Sequence, residues 1–454
     1  MPKKKTALTI EERLQQALVP AEKQPYEVPE NWVWVRLGEV NKYISKSVNP
    51  ISEPDKIFEL YSVPSMVDNY PEIIAGSDIG SSKQSVCKKD VLLCKINPRI
   101  NRVWKVSQFT DNELIASSEW IIIRNNHIDA NYLMYCFQSK YFREFMLSNV
   151  SGVGGSLMRA QPKYVQTYPI PLPPLSEQQR IVERIEELFA KLDEAKERLQ
   201  EVADSFAVRK AAILHKAFTG ELTKQWRLEN GVSDESWEEK KGEDFFEYVT
   251  SGSRGWAKYY SDKGSIFVRM GNLNHGTIEL DLSDIQYVEL PDQVEGQRSK
   301  LQKNDILISI TADVGMIGLV REDMDAYINQ HVALARPKND LYAEFLAWYF
   351  VSDVGLQQMQ NKQRGATKIG LGLQDIRSII LKIPTLPEQH EIVRLIDDLL
   401  ARERAAQQAT EQALASIDLM KKSILARAFR GELGTNKASE ASALELLWQV
   451  LAEN

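Results

Sequence analysis

The fold of this chain is decided by a stretch that occurs twice, Leu175-Ser-Glu-Gln-Gln-Arg-Ile-Val-Glu-Arg-Ile-Glu-Glu-Leu188 and, 211 residues later, Leu386-Pro-Glu-Gln-His-Glu-Ile-Val-Arg-Leu-Ile-Asp-Asp-Leu399. The same offset continues to the Gly-Glu-Leu that ends at Leu222 and Leu433, so that 48 residues align without a gap and 18 are identical. Two copies are too few for a solenoid, which needs at least three stacked units. The repeat therefore predicts a pseudo-two-fold protein with two similar helices, each preceded by a globular domain.

Both copies have the apolar spacing of a long helix. The first covers 175–218, with a Ser176–Gln179 pair typical of a capping box and Gly220 as the helix stop. The second covers 387–429 and has smaller residues in its seam, which favours close packing of the two helices. At 1.5 Å per residue, each helix would be a rod of about 65 Å. The predicted seam consists of Ile181, Ile185, Leu188, Leu192, Leu199, Val202, Phe206, Ile392, Ile396, Leu399 and Ile417.

Each long helix follows a mixed region of similar length. Runs of apolar residues predict strands at 90–94, 120–124, 305–309 and 332–336. Amphipathic helices are predicted over 131–147 and 341–351. The fold class that these patterns predict is α+β: two globular α/β domains and two long helices whose seams pack together, in a pseudo-two-fold tandem repeat.

These patterns divide the chain into seven segments. Thr9–Glu12 and Ser442–Glu445 have the spacing of capping boxes, which predicts a short helix near each end. The predicted segments are an N-terminal helical segment (1–25), the first domain (26–170), the first spacer helix (171–222), a linker (223–235), the second domain (236–382), the second spacer helix (383–433) and a C-terminal tail helix (434–454).

Composition places the chain among ordinary soluble proteins, with 43% hydrophobic and 26% charged residues. It has neither an apolar run long enough to span a membrane nor a secretory signal, and its three cysteines form no CxxC pair. We therefore expect a cytoplasmic protein. The net charge of −7 argues against a uniformly basic surface, but residues 83–105 hold seven Lys or Arg and a single acidic residue, Asp90. Any basic surface is therefore local.

The sequence lacks the motifs of several enzyme classes. It has no GxxxxGK[ST] phosphate loop, no Gly-rich cofactor loop with a [D/N]PP[Y/F] segment, and no His/Cys spacing for a metal. These absences favour a binding subunit that holds no metal and no cofactor.

The run Ile170-Pro-Leu-Pro-Pro-Leu-Ser-Glu-Gln-Gln-Arg-Ile-Val-Glu-Arg-Ile185, together with its second copy, resembles the DNA-specificity subunit of type I restriction–modification systems. The resemblance covers nearly the whole chain. Ser251-Gly-Ser-Arg-Gly-Trp-Ala-Lys-Tyr-Tyr260 and Val28-Pro-Glu-Asn-Trp-Val-Trp-Val-Arg-Leu37 also look like opening segments of that family's target-recognition domains. One departure is Thr385, where the first copy has Pro174.

The resemblance implies a DNA-binding subunit without catalysis of its own. In that family two target-recognition domains are separated by two long conserved helices that form an antiparallel coiled coil. Each domain reads one half of an asymmetric bipartite target, and the helix pair sets the gap. The implied partners are double-stranded DNA, two modification (methyltransferase) subunits that methylate adenine, and restriction/translocase subunits; no membrane is involved. S-adenosylmethionine, ATP and Mg would be bound by those partner subunits and not by this chain.

Candidate DNA contacts are basic and aromatic residues beside loops, because Lys and Arg bind phosphates and Arg reads base edges. For each of them the alternative is a solvated charged loop. Trp32, Trp34 and Trp256 are interpreted as core or platform residues, the alternative being residues that stack on bases. The DNA-contact candidates are Lys95, Arg99, Arg102, Lys105, Arg159 and Lys163 in the first domain, and Arg254, Lys258, Tyr259, Tyr260, Lys362, Arg364 and Lys368 in the second.

Two other functions remain open from the residues alone. One is a self-sufficient DNA methyltransferase or nuclease with an unrecognised site, which would modify or cleave DNA without a partner. The other is a coiled-coil scaffold protein, which would show no salt-dependent binding to DNA.

Overall fold

The protein, described here by a computed structural model, is resolved over residues 8–152, 158–291, 296–364 and 370–453. It forms two compact units, Met1–Leu199 with Ala413–Asn454, and Gln200–Gln412. Because these boundaries fall inside the two long helices, each unit contains one globular domain and part of each helix. Within the described ranges, no helix is long and apolar enough to cross a membrane.

The long helices predicted from the repeat are confirmed by α6 and α12. Gly220 has the predicted left-handed backbone, with a φ of 79°. The Ser176–Gln179 capping box is wrong, because α6 already begins one residue before Ser176. The helices of the described residues are α1 (Ile10–Ala17), α2 (Leu37–Val40), α3 (Ala130–Gln138), α4 (Lys140–Ser148), α5 (Pro162–Val165), α6 (Leu175–Phe218), α7 (Lys224–Asn230), α8 (Gly242–Phe245), α9 (Ala343–Val351), α10 (Asp353–Asn361), α11 (Leu373–Arg377), α12 (Leu386–Ala428) and α13 (Ala443–Ala452).

The strands include all four that the sequence predicts, as β6, β9, β18 and β21. The strands of the described residues are β1 (Val33–Arg36), β2 (Ser47–Val48), β3 (Ile57–Tyr61), β4 (Glu72–Ala75), β5 (Lys83–Ser85), β6 (Val91–Cys94), β7 (Val103–Lys105), β8 (Glu113–Ala116), β9 (Trp120–Ile123), β10 (Val150–Ser151), β11 (Arg159–Ala160), β12 (Pro169–Leu172), β13 (Glu238–Lys241), β14 (Phe246–Ser251), β15 (Tyr260–Ser261), β16 (Ser265–Val268), β17 (Tyr287–Val288), β18 (Ile306–Ser309), β19 (Ile317–Leu319), β20 (Ala326–Ile328), β21 (Val332–Pro337) and β22 (Ile380–Ile383).

The two domains share a sheet plan with different details. In the first, the strand orders are β2-β5-β8-β3-β4 and β7-β6-β9; in the second, they are β15-β17-β16-β20 and β14-β21-β18-β19. Among the described strands, each domain contains one parallel pair, β3 with β8 and β16 with β20, and the second domain also has a parallel bridge between Ser253 and Asn329. Each also closes with an antiparallel ribbon, β1 with β12 and β13 with β22, that leads into its long helix.

The helix predicted over 131–147 is wrong in one respect, because it is interrupted. The chain is extended at Ser139, which ends α3 and precedes α4. The Ser139 hydroxyl donates to the carbonyl of Cys136 over 2.6 Å. Ser352 makes the same bond to the carbonyl of Tyr349 between α9 and α10. A serine hydroxyl that bonds the local backbone competes with helix continuation, and the apolar spacing does not report that competition.

The long helices are buried at their ends, where the domain of the same unit covers them. In the first unit, Ile181 and Ile185 of α6 join the core that includes Leu425 of α12. In the second unit, Leu214 of α6 joins the core that includes Ile392 and Ile396 of α12. These contacts account for the apolar residues that end both copies of the repeat.

The seam is less covered towards the middle of the helices. Of the predicted seam residues, Val202 is 41% exposed, so the predicted burial does not hold there. Val202 lies outside the core of its unit, whereas Ile417 is buried. The remaining seam positions, Leu188, Leu192, Leu199, Phe206 and Leu399, are half-buried. Spacing alone identifies the apolar face of a helix but not how far the domain reaches along it.

Ion pairs join the two helices within each unit. Lys421 of α12 pairs with Asp193 of α6 in the first unit. In the second unit, Arg209 of α6 pairs with Glu403 of α12, with 2.9 Å between Nε and Oε2. Because position 421 faces 193 and position 403 faces 209, the helices run antiparallel.

The repeated Glu-Gln dipeptide anchors the first helix in its unit. Glu177 is fully buried and accepts hydrogen bonds from Trp32 Nε1 at 2.7 Å and from Asn436 Nδ2 at 2.8 Å. Gln178 donates to the carbonyl of Pro173 and accepts from the amide of Asp129, the residue that caps α3. The dipeptide therefore joins the helix to the start of the domain and to α3.

The second copy makes the corresponding contacts in its own unit. Glu388, also fully buried, accepts from Trp237 Nε1 at 3.1 Å and from both Thr223 Oγ1 and Arg227 at 2.7 Å. Gln389 donates to the carbonyl of Pro384 and accepts from the amide of Tyr342, which precedes α9. The sequence repeat is thus a repeat of buried polar contacts as well as of apolar spacing.

The terminal segments pack together in the first unit. The Thr9–Glu12 capping box is confirmed at the start of α1. Ser442 caps α13 by accepting from the amide of Leu444, and the amide of Ala443 donates to the carbonyl of Asn31 over 2.9 Å. In the second unit, one continuous piece of chain that contains α7 connects the end of a long helix, α6, to the start of the domain. In the first unit, the chain after α12 and the chain around Asn31 meet in the same way but are far apart in sequence.

Candidate nucleic-acid interface

The predicted basic cluster of the first domain follows β6 and extends into β7. Lys95 is half-buried, and its Nζ donates to the carbonyl of Ser118 over 2.7 Å. Arg99 is exposed, and its carbonyl accepts from the guanidinium of Arg143. Lys105 Nζ donates to Asn131 Oδ1 at 2.6 Å, so this lysine is held against α3.

Arg102 is half-buried at the start of β7, opposite Cys94 on β6. Burial is the main cause of the raised pKa of the Cys94 thiol, and the Arg102 guanidinium opposes that rise. The half-buried Arg102 side chain therefore also interacts with the interior of the domain, at Cys94.

The second part of the first cluster lies near the domain's exit. Arg159 on β11 pairs with Glu119, with 3.4 Å between Nε and Oε2, and its side chain is 43% exposed. Lys163 on α5 is exposed, with its Nζ 4.7 Å from the ring centre of Tyr164. A lysine over an exposed aromatic ring can present a charge and a flat surface together.

In the second domain, the predicted residues after β14 line a cleft of about 510 Å³. Arg254 and Lys258 are exposed at this cleft, and the Nζ of Lys258 lies 4.8 Å from the ring centre of Tyr259. Tyr260 begins β15, is 45% exposed and contacts the ring of Phe267. We call this feature the Arg254 cleft; its lining includes Ser251, Arg254, Trp256, Lys258, Tyr259, Arg298 and Gln330.

The tryptophan of the Arg254 cleft is a buried platform. Trp256 is 5% exposed and stacks on Phe267 with 5.6 Å between ring centres. Trp32 and Trp34 are 4% and 2% exposed. The interpretation of all three as core or platform residues is confirmed.

The other predicted cluster of the second domain is partly described. Lys362 follows α10 and is half-buried. Arg364 has an 81% exposed side chain whose guanidinium pairs with Asp375 at 2.9 Å. The backbone of Arg364 pairs with that of Gly370. Lys368 lies outside the described residues.

Two polar residues of the Arg254 cleft were missed by the sequence analysis. Arg298 comes from the segment after β17, and Gln330 from the connection between β20 and β21. Gln330 stands without a motif or a run of charge, whereas Arg298 is followed closely by Lys300 and Lys303, a short basic run that could have indicated it. The pairing of Ser253 with Asn329 brings Gln330 beside the Arg254 loop, and the bridge between Lys300 and Tyr327 holds the segment of Arg298 against β20.

The described residues of the two domains form no arrangement typical of catalysis by a metal. Among the described residues, no three His, Cys, Asp or Glu side chains are grouped so that they could hold a metal ion. The exposed groups are instead cations, amides, hydroxyls and aromatic rings on connecting segments. These groups are suited to binding a polyanion with exposed base edges.

Comparison with known proteins agrees with this chemistry. The family described as type I restriction modification DNA specificity domain matches residues 29–204 and 234–414. The EcoBI specificity subunit of Escherichia coli is 31% identical over 306 residues, which cover 63% of this chain and 64% of that subunit. The EcoKI specificity subunit of E. coli K12 is 28% identical over 345 residues and 72% of each chain.

Solved structures show the same fold. The HsdS subunit from Thermoanaerobacter tengcongensis matches with a TM-score of 0.67 at 21% identity, over 90% of this chain and 99% of that one. A chain from a type I R-M system, studied for its complex assembly and conformational transition, matches with a TM-score of 0.69 at 22% identity, over 90% and 100%.

Proposed function

The chain belongs to the type I restriction modification DNA specificity family, and from this premise we propose that it directs a modification complex to an asymmetric, two-part DNA target. Each domain reads one half-site, and the two long helices set the gap. Catalysis resides in partners: two modification subunits that methylate adenine with S-adenosylmethionine, and restriction/translocase subunits that use ATP and Mg. The chain itself holds no cofactor.

One observation carries the proposal. The two domains share a scaffold and an anchored helix, yet their exposed interface groups differ. The first presents Arg159 paired with Glu119, whereas the second presents the Arg254 cleft with Gln330. Different groups on one scaffold are what two readers of unlike half-sites require. A scaffold protein without a nucleic-acid role would need neither set.

The decisive experiment is a genome-wide map of methylated adenines in a methylation-free host. The host expresses this chain with the modification subunit encoded beside it, and the control host expresses that subunit alone. We expect a new two-part motif only when this chain is present. If the two proteins are soluble and associated and no motif appears, the proposal fails.

Purified chain separates the two rival functions. A methyltransferase would transfer label from S-adenosylmethionine to DNA without a partner, and a nuclease would cleave DNA alone. A scaffold would show no salt-dependent binding to DNA. For a phosphate-binding complex, we expect log K to fall with log [salt] by about 0.9 for each phosphate contacted.

The role of the helices is tested by changing their length. Residues 194–197 of α6 are exposed, and deleting them removes about 6 Å and slightly more than one turn. We expect a changed gap or loss of methylation, with the sequence of any half-site that remains unaltered. The matched control replaces Glu194, Lys196 and Glu197 by alanine, position 195 being alanine already, and keeps the gap. A changed half-site sequence in the deletion variant would contradict the spacer role.

A further inference from the structure

Three chain segments of the first domain are tied together next to its basic cluster. They are the end of β6, the turn before β9, and β11. The amide of Lys95 donates to the carbonyl of Glu119 over 3.0 Å, and the amide of Ala160 donates to the carbonyl of Lys95 over 2.8 Å. The turn is closed by a 3.1 Å bond from the amide of Trp120 to the carbonyl of Ser117.

The second domain contains the same arrangement of backbone bonds. The amide of Ile310 donates to the carbonyl of His331 over 3.0 Å, and the amide of Leu371 donates to the carbonyl of Ile310 over 2.9 Å. Its turn is closed by a 3.2 Å bond from the amide of Val332 to the carbonyl of Asn329. We call each of these three-segment arrangements a backbone frame.

The bonds equate positions that lie outside the constant 211-residue offset of the helix repeat. Lys95 corresponds to Ile310 and Glu119 to His331, at offsets of 215 and 212 residues instead of 211. It follows that Ser118 corresponds to Gln330. The turn amide bonds a side chain in both frames, Glu119 to Ser117 Oγ at 3.3 Å and His331 to Asn329 Oδ1 at 3.0 Å.

The side chains on the two frames differ in charge. In the first frame Lys95 bonds the carbonyl of Ser118, and Glu119 pairs with Arg159. In the second frame the ring of His331 lies between two neutral groups: Thr311 Oγ1 is 2.7 Å from Nδ1, and Gln330 Nε2 is 3.0 Å from Nε2. Arg159 of β11 bridges to Ile96 in the first frame, and Gly370 bridges to Thr311 in the second. The position of Arg159 is therefore taken by a glycine, which has no side chain.

Both frames lie where the predicted DNA-contact residues converge. In the first domain, Lys95 and Arg159 are themselves frame residues. In the second, Gln330 lines the Arg254 cleft, and the pairing of Ser253 with Asn329 holds the Arg254 loop against the frame. On the other side, Gly370 bridges to both Thr311 and Arg364. Two clusters that are more than 100 residues apart in sequence therefore meet at one turn.

We infer that the two backbone frames are equivalent base-reading elements. The residues at the positions of Ser118–Glu119 in the first frame and Gln330–His331 in the second determine which bases each half-site contains. The inference rests on the proposed function. A glutamine amide pairs with both N6 and N7 of adenine, a carboxylate accepts from N4 of cytosine, and an arginine pairs with guanine. The unlike chemistry of the two frames therefore gives unlike half-sites.

The first test is Gln330→Ala in the complex with the modification subunit, followed by mapping of methylated adenines. We expect one or two adjacent base pairs of the second half-site to become degenerate, with about 10-fold lower discrimination there. The first half-site and the gap stay unchanged. Gln357→Ala is the matched control, because Gln357 is an exposed glutamine of the same unit on α10.

The reciprocal variant is Glu119→Gln, which removes the charge that pairs with Arg159. We expect it to alter the first half-site only. Both variants keep their backbone bonds, so their melting temperatures should match that of the wild type. If the wild type gives a two-part motif and neither variant changes a half-site, the inference is overturned and the proposed function stands. Equal loss of preference in both halves also overturns the inference. If the wild type gives no motif, the proposed function itself has failed.

Discussion

The first unit holds its anchoring carboxylate with neutral donors, whereas the second holds its own with an arginine. Glu177 is bonded by Trp32 and Asn436, and the nearby Arg180 is paired with Glu440. Glu388 is bonded by Trp237, Thr223 and Arg227, and the Arg227 side chain is only 7% exposed. The comparison teaches that a repeated residue can keep its position while the interaction that stabilises it changes.

The largest expected difference between the units follows from removing the two carboxylates. Among the described residues, Glu388→Ala leaves the buried cation of Arg227 with Asp234, whose side chain is 77% exposed, as its remaining carboxylate partner. Breaking a buried ion pair costs about 3–5 kcal/mol. Glu177→Ala leaves unpaired neutral groups, which cost about 1–3 kcal/mol. Urea unfolding followed by tryptophan fluorescence should therefore show a greater loss for Glu388→Ala.

Glu391→Ala is the control for this comparison. Glu391 lies on the same helix and pairs with Arg394, whose side chain is 61% exposed. Such a pair contributes about 0–1 kcal/mol. Equal losses for Glu177→Ala and Glu388→Ala would show that the arginine does not distinguish the two anchors.

A smaller effect is expected at the interface, where each unit should act on its own half-site. Arg254→Ala should weaken discrimination in the second half-site by about 1–3 kcal/mol, and Arg159→Ala should do so in the first. Arg364→Ala should act on the second half-site with less effect than Arg254→Ala, because Arg364 has to leave Asp375 before it can bind DNA. Binding titrations on DNA with one altered half-site measure each value. Equal damage to both halves would instead indicate a general defect in folding.

The smallest expected effect is on the pH dependence of stability. Burial is the main cause of the raised pKa of Glu177, and the bonds from Trp32 and Asn436 oppose that rise. A carboxyl with a raised pKa binds more protons in the folded state, so its contribution to stability falls as pH rises above its ordinary value of 4.5. Glu177→Gln should therefore gain stability relative to the wild type between about pH 4 and pH 7.

Glu187→Gln is the control with the opposite sign. Hydrogen bonds from Lys191 and Arg184 lower the pKa of Glu187. Its contribution is present above the ordinary pKa and is lost as pH falls. Denaturant unfolding across the pH range measures both variants. If both change in the same direction, burial is not what distinguishes Glu177.

Much of the architecture could be predicted because it depends on local periodicity. Apolar residues every three or four positions predict α6 and α12, and short apolar runs predict β6, β9, β18 and β21. Periodicity misses features that depend on one side chain bonding the backbone, as at Ser139. It also misses where a helix leaves its domain, as at Val202.

The candidate interface was predicted in part. Charge and Gly-rich loops indicate Arg254 and Arg364, because both features are visible along the chain. Gln330 carries no such signal, and Arg298 belongs to a short basic run with Lys300 and Lys303. Strand pairing brings both residues to the Arg254 cleft. Lys105 shows the opposite case. Its positive charge is visible in the sequence, but the hydrogen bond that holds it to Asn131 is not.

The sequence by itself determined that the protein is a repeat of two domains and two helices, because a constant offset and helical spacing are properties of the chain alone. It also determined the resemblance to a DNA-specificity family, since those motifs are contiguous. Only the tertiary structure decided what the repeated Glu-Gln dipeptide contacts, how the terminal segments meet, and which residues share a backbone frame. Those contacts join residues far apart in sequence, and strand register and helix packing fix them through bonds that no local pattern encodes.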